Sequence, residues 1–195
     1  HKTPRRQRQM CIRDRSNDKR TQKISMNFAE EEMVIAGEEA FMQPTMSEEF
    51  TIGYFMSQDI GTAHLDFGIR FDDITRDGSV AEMHHEDEDH DEDHEGEEEV
   101  EDYSFNYSTT NYSLQLTQSL TDKLSLVLSG TSAERAPGAQ ELFMNGPHLA
   151  TRRFEVGNVN LNPEKSNNLD MSLNYSDGGI FAKYTVYVNN VNDFI

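Results

Sequence analysis

Four histidines, His84, His85, His90 and His94, stand among fourteen carboxylates between Glu82 and Asp102. Neutral imidazole nitrogens beside anionic oxygens suit zinc and its borderline neighbours, whereas calcium takes oxygen ligands alone. The run is a low-complexity charge block that repels itself, so its spacing specifies no ordered site. Three readings stay open. The segment is a solvated loop held extended by its charge, a weak multivalent trap that concentrates cations by electrostatic focusing, or a tight preformed site. His90 and His94 have the spacing of a helical zinc pair, but DEDHDEDHEGEEE offers no apolar face to seat a helix. His148, next to Pro147, is a fifth candidate metal ligand, with a structural hydrogen-bonding role as its alternative. Neither a G-x-S-x-G elbow nor an H-E-x-x-H helix occurs, so no enzyme is expected, and no resident cofactor is required.

The elements that carry these residues read as strands. Leu65, Phe67, Ile69 and Phe71 alternate with His64, Asp66, Gly68, Arg70 and Asp72. The same period of two runs through Phe50 to Met56, Leu124 to Leu128, Leu169 to Tyr175 and Ala182 to Val188. About seven strands are expected, beginning near 25, 48, 62, 102, 122, 167 and 179. In the stretch Tyr103 to Thr117 the apolar set changes phase, from odd to even positions, and a β-bulge near Ser108 to Asn111 would reconcile the halves. The fold class is therefore all-β, an antiparallel meander.

Connections alternate in length. Short turns fall at Gln58 to Gly61, Ser119 to Lys123 and Ser176 to Gly179, and long ones at roughly 36 to 47, 75 to 101 and 133 to 166. Membrane barrels segregate tight turns and long loops in this way. Alternation alone equally suits a soluble sandwich with one wet face. Strand length and aromatics near strand ends (Tyr54, Phe71, Tyr103, Phe105, Tyr175) favour the barrel, with those rings as interfacial girdles.

Net charge is −19, yet nine of the 17 Lys and Arg residues lie between Lys2 and Lys23. A basic surface for nucleic acid is thereby excluded. No run approaches the roughly 18 to 20 apolar residues of a membrane-spanning helix, and no signal peptide is visible. The single cysteine, Cys11, supports neither a disulfide nor a zinc site rich in thiolates. Residues 1–23 read as a disordered, non-native leader, with a native basic arm as the alternative. Residues 24–195 form the folded part, and 77–101 its acidic histidine-rich loop.

The segment from Glu134 to Asn168 reads ERAPGAQELFMNGPHLATRRFEVGNVNLNPEKSNN. Its order of Arg-Ala-Pro, Glu-Leu-Phe, Gly-Pro-His, Ala-Thr, Glu-x-Gly-Asn-x-x-Leu and Glu-Lys-Ser-x-Asn resembles the barrel region of TonB-dependent outer-membrane receptors. Histidine-rich acidic loops and the wording GPHLAT are similar to the zinc-uptake branch of that family. The resemblance implies a 22-stranded transmembrane barrel, of which this chain would be an incomplete segment, lacking plug and coupling box. It also implies an outer-membrane location among lipid, and energy from an inner-membrane complex that engages an N-terminal region outside this sequence. Active uptake of a metal ion, zinc first, or of a metal chelate would follow, with Zn2+ as transported ligand. Siderophore or haem receptors of the same family, and a passive channel or adhesion surface, are the alternatives.

Overall fold

The computed structural model describes residues 5–17, 19–35, 40–81, 100–148 and 152–195, and for residues 5–14 and 148 the backbone alone. Eight strands form one antiparallel sheet: β1 (Arg5–Asn17), β2 (Arg20–Met33), β3 (Thr45–Ile60), β4 (Ala63–Ala81), β5 (Val100–Thr121), β6 (Leu124–Arg135), then β9 (Glu164–Asp177) and β10 (Ile180–Asn192). Between β6 and β9 come a short helix α1 (Ala139–Phe143) and a small hairpin of β7 (Asn145–His148) and β8 (Arg153–Val156). Each strand of the main sheet pairs with its neighbours in chain order, apart from the excursion between β6 and β9. The sheet is open, with β1 and β10 at its edges.

The expected all-β meander is thus what forms. Strand β1 falls inside 1–23, the stretch that reads from sequence as a leader, and it pairs with β2 from Arg5↔Glu31 to Asn17↔Arg20. Strands β4 and β5 run further than periodicity indicates, pairing out to Ala81↔Val100, so residues 77–81 are strand and not loop. Residues 82–99, which hold most of the acidic histidine run, lie outside the described residues.

Cross-strand register sorts the side chains onto two faces. One carries Ile52, Tyr54, Ile69, Phe71, Tyr112, Leu114, Leu128, Leu169, Met171, Tyr184 and Val186, and most of these are exposed, Leu169 by 62%. The other carries Ser25, Thr51, His64, Asp66, Arg70, Asp72, Asn111, Ser113, Ser129, Asp170, Ser172 and Thr185. A sandwich would bury the first set against a second sheet. Here no second sheet covers it among the described residues.

The expected bulge at Ser108 to Asn111 is absent, since β5 keeps register with β4 without a break from Gln118 to Val100. The phase change has another cause. Tyr112, Leu114 and Leu116 project from the apolar face, whereas Tyr103, Phe105 and Tyr107 project from the opposite face and are covered by α1. Tyr103 and Phe105 consequently do not belong to an interfacial girdle on the apolar face. A register shift does occur in β5, but at Ser119 to Thr121 beside the turn into β6.

Short connections at 61–62, 122–123 and 178–179 lie at one end of the sheet, whereas β2, β4 and β6 end, and β3, β5 and β9 begin, at the other. In the two-residue turn between β9 and β10, Gly178 and Gly179 both take positive φ, 55° and 91°, as a hairpin twisted to match its strands requires.

Candidate functional site: the polar face and the loop that covers it

At the long-loop end, the chain leaves β6 through Ala136 and Pro137, both buried, and folds back over the polar face. Helix α1 is too short to be stable alone, so its shape depends on local bonds. The Gly138 N–H donates to Glu141 Oε2 at 2.7 Å, satisfying a donor that the first turn leaves orphaned. Arg135 Nη1 donates to both Glu141 oxygens at 3.0 and 2.9 Å, and Arg135 Nη2 lies 3.7 Å from Glu164. Partial burial alone would raise the Glu141 pKa, but the Arg135 hydrogen bond, the Gly138 N–H and the Arg135 charge outweigh it and hold the carboxyl below its ordinary value.

Leu142 and Phe143 then enter a small core with Met42, flanked by Met33, Val80, Val159 and Leu161. Phe143 is fully buried and stacks on Phe105 with ring centroids 6.1 Å apart. Phe105 in turn lies between Tyr103 and Tyr107, at 5.8 and 6.2 Å, so three rings on one strand form a platform for a fourth. Gly78 makes room for it: a Cβ there would stand 2.5 Å from the Phe143 ring. The Asn145 N–H donates to the Phe41 carbonyl at 2.8 Å, and Asn145 Nδ2 to the Ala81 carbonyl at 2.7 Å. These bonds tie the 136–163 loop to the connection before β3 and to the last residue of β4, where the acidic run begins.

Below this cover the polar face is a hydrogen-bonded lattice. Asp72, 7% exposed, accepts from Thr51 Oγ1 (2.7 Å), Arg70 Nε (2.9 Å), Asn111 Nδ2 (3.0 Å) and Thr109 Oγ1 (3.3 Å), which offsets the cost of holding a carboxylate out of water. Arg76, also buried, pairs with Glu49, and Ser129 donates to Asp170. Where the β5 and β6 ladder ends at Tyr112↔Ser132, side chains replace it: Glu134 accepts the Thr110 N–H at 2.9 Å and Asn111 Oδ1 accepts the Glu134 N–H at 2.7 Å.

Near the short-turn end a third group forms around His64. Its Nδ1 lies 2.6 Å from Asp59 Oδ1, and its Nε2 lies 3.2 Å from Asp66 Oδ1 and 3.0 Å from Ser57 Oγ. His64 and Asp66, two apart on β4, share one face, and the hairpin sets Asp59 opposite His64 and Ser57 opposite Asp66. The signal was present as His64-x-Asp66 within an alternating strand, with Asp59 across a two-residue turn, but a histidine there also reads as one more polar-face residue.

Of the candidate ligands, His84, His85, His90 and His94 lie outside the described residues, and His148 is described only as backbone in β7, paired with Arg153. Among the described residues no three His, Cys, Asp or Glu side chains converge as a metal-binding group. No helix among them is long and apolar enough to cross a membrane.

Comparison with known proteins agrees with this geometry. The family described as "TonB dependent receptor-like, beta-barrel" matches residues 47–195. Among solved structures, the chain is similar to the Serratia marcescens hemophore receptor HasR, solved with its hemophore HasA and heme (TM-score 0.71, 14% identity, 98% of this chain and 32% of that one). It is also similar to the copper transporter OprC (0.66, 16%, 93% and 30%). A third is the ferric-catecholate import receptor Fiu from K12 E. coli (0.62, 13%, 92% and 30%). The chain spans about a third of the length of these structures. With its two-faced open sheet and a family match over most of its length, the chain belongs to the TonB-dependent receptor-like β-barrel family.

Proposed function

We propose that this chain is part of the wall of an outer-membrane receptor that imports a scarce nutrient, zinc or another metal ion first, using energy from the inner membrane. Members of the family are transporters and not enzymes, and they sit in the outer membrane. The observation that carries the reading is the sheet itself. It exposes a broad apolar face on strands of 12 to 22 residues, longer than the roughly 9 to 11 that a bilayer needs, while the opposite face is polar. Long loops then lie outside the cell and short turns face the periplasm.

The metal-ion cargo rests on His84, His85, His90, His94 and His148. Acidic and imidazole groups at the mouth would gather a divalent cation by focusing. Solved neighbours bear names with heme, copper, iron and ferric catecholate, so a chelate is the second reading. The test is uptake of radioactive zinc by cells bearing the full-length receptor, with and without a proton-motive force. Energy-dependent zinc uptake that falls when the four loop histidines become alanine is expected. Energy-dependent uptake of haem or a ferric siderophore, with zinc indifferent, would assign the receptor to the chelate branch.

A further inference from the structure

We infer that the bilayer meets this sheet along a line oblique to its hydrogen-bonded rungs, with hydrocarbon ending at Phe50 on β3, Phe71 on β4 and Tyr112 on β5. The long-loop halves of β4 and β5 then stand outside the lipid as a hydrophilic ridge. This placement rests on the outer-membrane reading above and adds where on the wall the lipid begins and ends.

The side chains that alternate onto the apolar face do not turn polar at one level of the sheet. On β3 the apolar run ends at Phe50 and Glu48 follows; on β4 it ends at Phe71 and Asp73 follows. Yet Phe50 is paired with Asp73, so the last apolar residue of β4 lies two residues lower than that of β3. On β9 and β10 the run ends at Leu169 and Val188, with Asn167 and Asn190 beyond. One rung joins Phe28, Phe50, Asp73 and Ser108, and another joins Leu114, Gly130, Leu169 and Val188. Along β5 these rungs are six residues apart, from Ser108 to Leu114, and six strand-to-strand steps separate β2 from β10. The upper edge of the apolar belt therefore falls by one residue per strand.

The lower edge falls in the same direction. Ile24, the lowest apolar side chain on this face of β2, shares a rung with Tyr54, Ile69 and Tyr112, and Tyr112 is where the belt begins on β5. A fall of about 3.3 Å for each strand spacing of about 4.8 Å inclines the belt about 35° from the rungs. Strands in outer-membrane barrels tilt by about that angle, roughly 35 to 45°, from the membrane normal. A flat slab of hydrocarbon across tilted strands produces such a line. A protein partner would impose no relation between the edge of its footprint and the tilt of a barrel wall, so the occupant is lipid.

Charge marks the same boundary. Above the line, the charged residues on this face of β2 to β5 are Glu30, Glu32, Glu48, Asp73, Asp77 and Asp102, each costly to place in hydrocarbon. Thr75 Oγ1 donates to Asn106 Oδ1 across the β4 and β5 pair at 2.9 Å, a polar rung on the side that carries Phe71 and Tyr112 lower down. Ala81 lies ten residues beyond Phe71, which at this tilt sets the end of β4 roughly 25 Å above the hydrocarbon.

The experiment places a nitroxide on single cysteines of the full-length receptor, in a background free of other cysteines, reconstituted in phospholipid vesicles. Collision with oxygen, which concentrates in hydrocarbon, is compared with collision with a water-soluble nickel chelate. Phe50→Cys and Asp73→Cys share a rung, as do Tyr112→Cys and Asn190→Cys, and all four positions are exposed. The oxygen-to-nickel ratio is expected to fall several-fold from the first to the second member of each pair, and Asp77→Cys should resemble Asp73→Cys. Retained β-sheet circular dichroism shows that each labelled variant is folded. Equal ratios within both pairs, or oxygen-dominated collision at Asp73 and Asp77, would overturn the oblique boundary. Labels at Ile69→Cys and Leu114→Cys shielded from both reagents would show a protein covering the belt and would equally overturn it. Failure of the outer-membrane reading is seen separately, as a receptor that does not float with the vesicles in a density gradient.

Discussion

Phe143 is the residue on which the loop over the polar face depends. Its ring is buried completely, and Phe105 and the bare backbone of Gly78 form two walls of its pocket. Phe143→Ala should cost about 3 to 5 kcal/mol of local stability, the usual range for truncating a buried aromatic. The loss belongs to the loop and not to the sheet, so limited proteolysis within 136–163 should accelerate while the strands stay protected. Glu141 gives the same loop a pH dependence. Its carboxyl is held below its ordinary value in the folded state, so its stabilising effect is complete above that ordinary value and fades as pH falls through the depressed one. Cleavage of the loop should therefore rise on acidification below the ordinary carboxylate range. Glu141→Gln should be cleaved faster at neutral pH and show a flatter profile. Of the family-like segment, Ala136, Pro137, Leu142 and Phe143 are buried and Arg135, Glu141 and Glu164 are paired, so these residues maintain shape.

At the scale of the element, β5 shows what an alternating pattern does and does not disclose. Period two reveals that Tyr103 to Thr117 is strand, because a half-buried pleated surface needs side chains of one kind on each side. It does not reveal which face another element will cover. Tyr103, Phe105 and Tyr107 are apolar because α1 lies on them, and Tyr112, Leu114 and Leu116 because they stand on the uncovered apolar face. The change of phase is thus a change of partner. Helix α1 itself was illegible for a related reason: five residues have too little periodicity to register, and what holds them is Arg135, Glu141 and the contact with β4 and β5. Likewise Arg5–Asn17 lacks alternation of either kind, yet pairs with β2 through backbone bonds, which need no side-chain pattern. The turn at Gly178-Gly179 was legible because positive φ asks for glycine directly. Neighbouring positions on β5 test the assignment of faces. Leu114→Arg should destabilise the fold in bilayers by roughly 2 to 4 kcal/mol if near the midplane, whereas Ser113→Arg, one residue away on the polar face, should cost little. Equal cost at both positions, measured by denaturant titration of the full-length receptor in lipid vesicles, would contradict a lipid-facing apolar side.

For the whole molecule, an eight-stranded open sheet with an exposed apolar face is stable only in an environment that covers that face and satisfies both edges. On the proposed placement in hydrocarbon, each unpaired backbone group at an edge would cost several kcal/mol, so β1 and β10 are expected to pair with further strands. The same reasoning gives the polar lattice its role. Asp72, Arg76 and Asp170 keep charge on the face opposite the apolar one, and their hydrogen bonds fix it in place. Single-cysteine labelling along β4, in a Cys11→Ala background of the full-length receptor in outer membranes, examines this directly. Cysteines replacing Asp66, Gly68 and Arg70 should react with a small membrane-impermeant maleimide added from an aqueous phase. Those replacing Leu65, Phe67 and Ile69 should resist it and react with a lipid-soluble reagent. The contrast follows from register alone, since adjacent residues point to opposite faces. An alternation of the opposite sign would place Leu65, Phe67 and Ile69 in water and His64 and Asp66 in lipid, where a carboxylate is costly, and would overturn the assignment of faces.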